Sequence, residues 1–108
     1  LRLNGSLALG VASRCISLLG QDASLAAEHG AQLDETRSML DSADDHGIAA
    51  ARAAASAFAH KAAATLLVHT GSHSIELDSH AQRLAREAMF LMVFGSRPPI
   101  RSALLSQL

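Results

Sequence analysis

The sequence predicts an all-α fold, an antiparallel four-helix bundle with a short extra C-terminal helix. Hydrophobic residues make up 49% of the 108-residue chain, and much of that fraction is alanine, the strongest helix former. Strand formers are scarce, because aromatic residues are 3% of the chain, with no Trp or Tyr. Four long helical segments follow one another across short connections, which favours antiparallel neighbours. A chain of this length holds one domain, residues 1–108.

The first predicted helix runs from Ser6 to Leu19, with Asn4 or Ser6 as its N-cap and Gly20 as its end. Apolar residues recur along it at helical spacing and predict a buried stripe. The stripe comprises Leu3, Leu7, Val11, Cys15 and Leu18.

The second predicted helix begins at Asp22 or Ser24 and continues to Ala43, and a turn over residues 44–47 follows it. Its acidic residues are expected to face water. Its inward-facing residues are expected to be Leu25, Leu33, Met39 and Leu40.

The third predicted helix, Ile48 to His69, is apolar most of the way round, which indicates a central helix. Gly71 ends it, and a loop over residues 72–79 leads to the fourth helix, Ser79 to Phe94. Gly95 and Ser96 are expected to break that helix, and Pro98 and Pro99 to open a short last one ending near Leu108. The fourth helix is expected to bury Leu84, Ala88, Leu91 and Met92 and to expose Arg83, Arg86 and Glu87.

Composition argues against several functional classes. The formal net charge is −1, and the only basic cluster (Arg83, Arg86, Arg97 and Arg101) is too small to predict nucleic-acid binding. A single cysteine, Cys15, excludes an internal disulfide and favours a reducing, cytoplasmic setting. No segment is long and apolar enough to predict a membrane span. The chain begins at Leu1 without Met, which suggests a piece of a larger protein.

The residues that could carry chemistry are few. His69, His73 and His80 suggest a metal site, but Gly71 interrupts the helical spacing that such a site needs, so we expect a solvated loop and no metal. We expect Cys15 to be a buried hydrophobe. We expect the remaining histidines, His29, His46 and His60, to lie at the surface. The four clustered arginines could hold phosphates or carboxylates, or could only cover apolar side chains.

The C-terminal half resembles the C-terminal helical domain of the acyl-CoA dehydrogenase family. In that family a loop of pattern Gln-x-x-Gly-Gly-x-Gly-Tyr precedes a helix carrying Arg-x-x-Arg-Asp-Ala, which ends in Tyr-Glu-Gly-Thr. The present chain follows that layout without a gap from Val68 to Arg97, and Leu7 to Arg14 is similar to the family's first bundle helix. The second predicted helix matches the family only in its general character and carries none of these motifs.

Carried over residue by residue, the family's motifs match in part. The glutamine position holds Val68, and the tyrosine position holds Ile75. By this resemblance the cofactor-binding positions are Gly71, Ser72, Arg83 and Arg86. Gly95 occupies the position where many members keep a catalytic glutamate, so the resemblance implies no catalytic residue in this chain.

The resemblance implies a bundle that mediates dimer and tetramer contacts and packs against FAD. The enzymes of the family introduce a double bond beside an acyl-CoA thioester, in fatty-acid or steroid side-chain oxidation. Some members pair a catalytic subunit with a degenerate one, and this chain resembles the degenerate kind. Two alternatives remain open: a self-standing helical interaction module without flavin, and an active enzyme whose base comes from another segment or subunit.

Overall fold

The computed structural model describes residues 1–76, 78–95 and 97–108, and the side chain of His73 also lies outside its description. Every regular element in this part of the chain is helical. Five α-helices and one 3₁₀ turn follow in order: α1 (Arg2–Leu18), α2 (Ala23–Ser42), α3 (Ile48–Thr70), the 3₁₀ turn Gly71–Ile75, α4 (His80–Val93) and α5 (Pro98–Gln107).

The first four helices form an up-down-up-down bundle with α3 at its centre. The guanidinium of Arg2, at the start of α1, donates to the carbonyls of Leu40 and Ala43, at the end of α2, so α1 and α2 run antiparallel. Lys61 Nζ donates to Gln32 Oε1 at 3.0 Å and ties the middles of α2 and α3. Helices α2 and α4 each pack on both α1 and α3, and α5 packs on α3. The predicted antiparallel bundle with an extra helix is confirmed.

Alanine lines most of the contacts of α3. Ala51, Ala55, Ala59 and Ala62 are buried in the main core, so the neighbouring helices approach closely. A second, smaller cluster joins α5 to α3 through Ala53, Ile100 and Leu104. A central helix of small residues therefore explains how one helix meets four others.

Local signals fix several helix ends. Asp22 caps α2, because its side chain accepts from the backbone N–H of Leu25 at 3.1 Å. Asp44 Oδ1 accepts from the N–H groups of His46 and Gly47, which builds the predicted turn before α3. Gly71 ends α3 with a φ of 80°, a backbone conformation that favours glycine.

The predicted inward face of α1 is correct in part: Cys15 is buried and Val11 and Leu18 pack against the core, but the prediction for Leu3 and Leu7 is wrong. Leu3 is 73% exposed and Leu7 is 49% exposed, whereas the residues that face the core are Gly5, Ala8, Leu9, Ala12 and Cys15. The helix also begins at Arg2, so Asn4 and Ser6, the predicted caps, lie inside its first turns. The small residues face inward because they let α1 approach α2 and α3 closely.

Further differences concern α2 and the connections. Met39, predicted to face inward, is 45% exposed, and His29, predicted at the surface, is 3% exposed. His29 Nδ1 lies 2.9 Å from the carbonyl oxygen of Leu25, and its Nε2 lies 3.2 Å from Thr65 Oγ1, so hydrogen bonds satisfy the buried ring. The predicted loop before α4 overlaps the 3₁₀ turn Gly71–Ile75, which begins at the glycine that ends α3. Ser96, a predicted helix breaker, lies outside the described residues.

Within the described residues, no helix is both long enough and apolar enough to cross a membrane.

Candidate functional site

A groove of about 500 Å³ runs between α1 and α4 and joins an apolar wall to a basic end. The two helices are antiparallel, since Asn4 lies beside Gly95. Further along, Leu7, Phe90 and Leu91 form the apolar part of the groove. Its other end is lined by Arg83, Arg86 and Glu87 beside Val11. Thus the structure brings the two arginines identified from the sequence together with exposed apolar side chains.

The two arginines differ in what they contact. Arg83 Nη1 donates to Glu87 Oε1 at 3.3 Å, one turn along α4, and both side chains are nearly half exposed. Such a surface pair is weak and readily exchanged. Arg86 is exposed and has no hydrogen-bond or ion-pair partner within the described part of the chain. Its planar guanidinium therefore has free donors for an external carboxylate or phosphate.

The apolar wall continues beyond the groove as the α1/α4 face, defined here as Leu3, Leu7, Phe90, Val93 and Phe94. Phe90 is 56% exposed and stacks on Phe94, with the ring centroids 4.9 Å apart. Val93 is 72% exposed. Large apolar side chains gathered in this way are typical of a surface that another molecule covers.

The loop positions of the resemblance lie apart from this groove. Gly71 and Ser72 are exposed where α3 ends, and they are not among the described residues that line the groove. The backbone N–H of Gly71 donates to the carbonyl of Leu67. No atom lies within 4 Å of the position that a Cβ on Gly71 would take, so the space beside it is open.

Gly95, at the family's glutamate position, has a backbone that favours glycine. Its φ is 64°, and a Cβ on it would lie 3.1 Å from Asn4 Nδ2. A residue with a side chain would strain the backbone here and press against α1. The geometry at this position therefore opposes a carboxylate.

Arg52, on α3, is a buried cation that the sequence did not identify as a candidate functional residue. It is 0% exposed, and its Nη2 donates to the carbonyls of Leu91 and Phe94 at 2.7 and 2.8 Å. Its Nη1 donates to Ser56 Oγ at 2.5 Å, while its Nε has no partner in the described structure. Burial lowers the pKa of the guanidinium. The signal available in the sequence was an arginine on the apolar face of a central helix.

Cys15 lies fully buried on α1, as the sequence predicts. Burial, with a smaller contribution from the negative charge of Glu87, raises the pKa of the thiol to about 11. The thiol is therefore protonated at neutral pH and is a poor nucleophile.

In the described residues, no three His, Cys, Asp or Glu side chains come together as a possible metal site. His69 and His80 are both exposed, and the predicted loop residue His73 has its side chain outside the description.

The chemistry that this geometry offers is binding. An anionic group would pair with Arg86 and Arg83, and an apolar segment would pack on Leu7 and Phe90. The chain matches no protein-family model, no curated protein and no solved structure.

Proposed function

We propose that this chain is the C-terminal bundle domain of an acyl-CoA-dehydrogenase-like flavoprotein. In that protein it serves subunit assembly and forms part of a flavin or acyl-CoA site, with no catalytic base of its own. The observation that carries the proposal is the groove between α1 and α4, where Arg83 and Arg86 adjoin the apolar side chains of Leu7 and Phe90. The proposal also rests on the resemblance of residues 68–97 to the family.

The residues of the groove fit the anionic and apolar parts of such ligands. FAD and CoA both carry a pyrophosphate, and guanidinium groups bind phosphate oxygens with paired, charge-assisted hydrogen bonds. Arg86 fits this task because it has no partner of its own in the described structure. Arg83 is held by a surface pair with Glu87 and by a 3.5 Å contact with His80 Nδ1. Gly71 and Ser72, the loop positions that the resemblance assigns to cofactor binding, would lie at a separate position, because they do not line the groove.

When bound, FAD supplies an acceptor for the two electrons removed from the acyl chain. The contribution of this chain is to bind and to exclude water, since Gly95 offers no carboxylate to remove a proton. Leu7 and Phe90 would cover an apolar part of the assembly. The domain would be inactive alone, because the base and the other walls of the site belong to other segments or subunits.

Flavin retention tests the proposal without measuring activity. We expect the full-length protein, alone or with the product of its neighbouring gene, to purify with flavin absorbance. Arg86→Met should lower the flavin-to-protein ratio at unchanged helicity, because it removes the free guanidinium and keeps the apolar stem. Arg37→Met is the matched control, since Arg37 is exposed on α2 and does not line the groove. Equal flavin loss in both variants would contradict the assignment.

The second candidate is a self-standing helical interaction module without flavin. The extent of the α1/α4 face favours it, because Leu3 and Val93 are more than 70% exposed at positions beyond the groove. Full-length protein that is colourless both alone and in complex would support this candidate. In that case Phe90→Ser should weaken assembly, and Arg86→Met should change it less.

A further inference from the structure

We propose that a second groove, between α2 and α3, binds a basic amphipathic helix of another protein chain. This groove has a volume of about 690 Å³ and lies on a different side of the bundle from the α1/α4 groove. One wall is a stripe of α2 that includes Glu28, Glu35 and Met39. The C-terminal end of α5 closes it near Leu108. The inference is independent of the flavin proposal, because the two grooves share no residue.

The floor of this groove is shaped for a close neighbour. It is formed by Ala54 and Ala57 with one edge of Phe58, so that little side-chain volume fills the space over α3. The α2 wall extends from Glu28 to Met39, which at 1.5 Å per residue is roughly 16 Å, about three helical turns. Small residues beneath an open channel of this length permit a helix to pack at the short interaxial distances of bundles.

Charge decides the chemistry of the occupant. Seven of the ten carboxylates of the chain lie between residues 22 and 45, where Arg37 is the one arginine or lysine. They are Asp22, Glu28, Asp34, Glu35, Asp41, Asp44 and Asp45. Of these, Glu28 and Glu35 line the groove, and neither has a hydrogen-bond or ion-pair partner in the described structure. An occupant should therefore bring arginine or lysine to these two positions.

The opposite wall does not reverse this conclusion. Lys61, on α3, is the one lysine or arginine of the groove lining, and its ammonium donates to Gln32 Oε1 between the two glutamates. His60 also lines that wall. The two glutamates are seven residues apart, or about 10 Å along α2, so each is free to pair with its own cation on a helix lying alongside.

A second copy of the chain is the less suitable occupant. The basic helix that a copy could offer is α4, with Arg83 and Arg86, and its insertion into the α2/α3 groove would join two different surfaces. Such a head-to-tail contact leaves both surfaces open on the outer copies, and it extends without closing unless the copies form a ring. A basic helix of a different chain closes the interaction at once.

Selection from a library of displayed helices tests the inference on the purified protein. The library presents single 18-residue helices whose one face varies among Leu, Met, Phe, Lys, Arg, Glu and Ser. We expect the enriched helices to carry Lys or Arg at two positions seven residues apart, with apolar residues between them. Enrichment of neutral or acidic helices, or no enrichment, would overturn the proposal.

Matched charge variants locate the binding. In the double variant Glu28→Lys/Glu35→Lys, the dissociation constant of a selected helix should rise at least about tenfold, equal to roughly 1.4 kcal/mol. In the control double variant Asp34→Lys/Asp41→Lys, which makes the same charge change outside the groove, the dissociation constant should change less than about twofold. All four positions are exposed, so circular dichroism should show unchanged helicity. Equal effects of the two pairs would refute the site.

A steric variant and a sedimentation measurement complete the test. Ala54→Leu should fill the floor and weaken the selected helix at least about tenfold, whereas Ala50→Leu, at an exposed position of α3 outside the groove, should not. Self-association that Glu35→Lys abolishes would identify a second copy as the occupant and overturn the proposal. Because these readouts do not involve the α1/α4 groove, they are unaffected by whether flavin is retained.

Discussion

Replacement of Arg52 by methionine tests how a buried cation holds the bundle together. The guanidinium lies between α3 and the C-terminal end of α4, where it donates hydrogen bonds to the carbonyls of Leu91 and Phe94. The carbonyls in the last turn of a helix have no partner within that helix and need donors from elsewhere. The negative end of the α4 dipole also favours a positive charge there. Arg52→Met removes these interactions and keeps a similar side-chain length.

The expected change follows from opposing contributions. Loss of two hydrogen bonds from a charged donor, with the carbonyls left buried, costs about 3–6 kcal/mol, and loss of the helix-end interaction about 0.3–1 kcal/mol. Against this, methionine relieves the burial of a charge whose Nε has no partner in the described structure, by roughly 2–3 kcal/mol. We therefore expect the free energy of unfolding to fall by about 1–4 kcal/mol, a large part of the stability of a small domain.

Urea unfolding followed by circular dichroism measures the change, and hydrogen exchange locates it. We expect a lower midpoint at an unchanged slope, with faster exchange at the amides that follow α4. Arg52→Lys should be intermediate, because one ammonium group lacks the planar fork that reaches both carbonyls and Ser56. If the methionine variant were as stable as the original chain, the hydrogen bonds would be worth no more than the burial of the charge costs, and the reasoning would fail.

Three substitutions and one measurement on Cys15 test other parts of the bundle. Gly10→Ala should raise the free energy of unfolding by about 0.5–1 kcal/mol, because Gly10 has open space beside it. Gly5→Ala should lose that gain, since its Cβ would lie 2.8 Å from Leu40 Cδ1. Equal urea midpoints for the two variants would contradict the packing of α1 on α2. Gly95→Ala should lower that free energy by about 1–2 kcal/mol because of its positive φ, and an unchanged midpoint would contradict this. Burial raises the pKa of the Cys15 thiol from 9.0 to about 11, so the contribution of the neutral thiol to the folded state should be complete below pH 9 and lost towards pH 11. Alkylation of Cys15 at pH 8 should be at least about 100-fold slower in the native protein than in urea. A difference under tenfold would refute the burial.

The helices could be predicted from the sequence because their signals are local. The Asp22 cap, the turn at Asp44 and the prolines that open α5 each act within a few residues. The apolar surface around α3 also depends on composition alone, so its central place could be predicted. The 3₁₀ turn after Gly71 was not predicted, since neither apolar periodicity nor a capping residue identifies so short an element.

The faces of the helices were harder to predict, since they depend on how closely two helices approach. On α1 the periodicity favoured Leu3 and Leu7 over Gly5 and Ala8, because a leucine buries more apolar area than an alanine. The structure reverses this choice, since Gly5 lets Leu40 of α2 pack directly on the backbone of α1. His29 escaped prediction for a related reason, because its buried position depends on Thr65 of a different helix.

The candidate site could be predicted only in part. Arg83 and Arg86 were identified from the resemblance and from their spacing on one helix. That Leu7 lies in the same groove could not be predicted, because it depends on the antiparallel packing of α1 on α4. The α2/α3 groove gives no sequence signal of its own, because it results from the space left over alanines of α3. A groove that forms over small residues can be located only when the positions of the neighbouring helices are known.

The arrangement of large and small apolar residues in this bundle has a functional consequence. A monomeric bundle gains most by burying its leucines and phenylalanines. Leu9, Leu40 and Leu84 are buried with the alanines of the core, yet Leu3, Phe90 and Phe94 are about half exposed or more. Roughly half-exposed side chains of this size leave on the order of 100 Å² each for a partner to cover. The exposed apolar area of the α1/α4 face could therefore supply a substantial part of the ~800 Å² that each side of a specific interface buries. The bundle therefore fills its core with alanines and buried leucines, and it leaves several other large apolar side chains on the α1/α4 face, as the proposed contact with a partner would require.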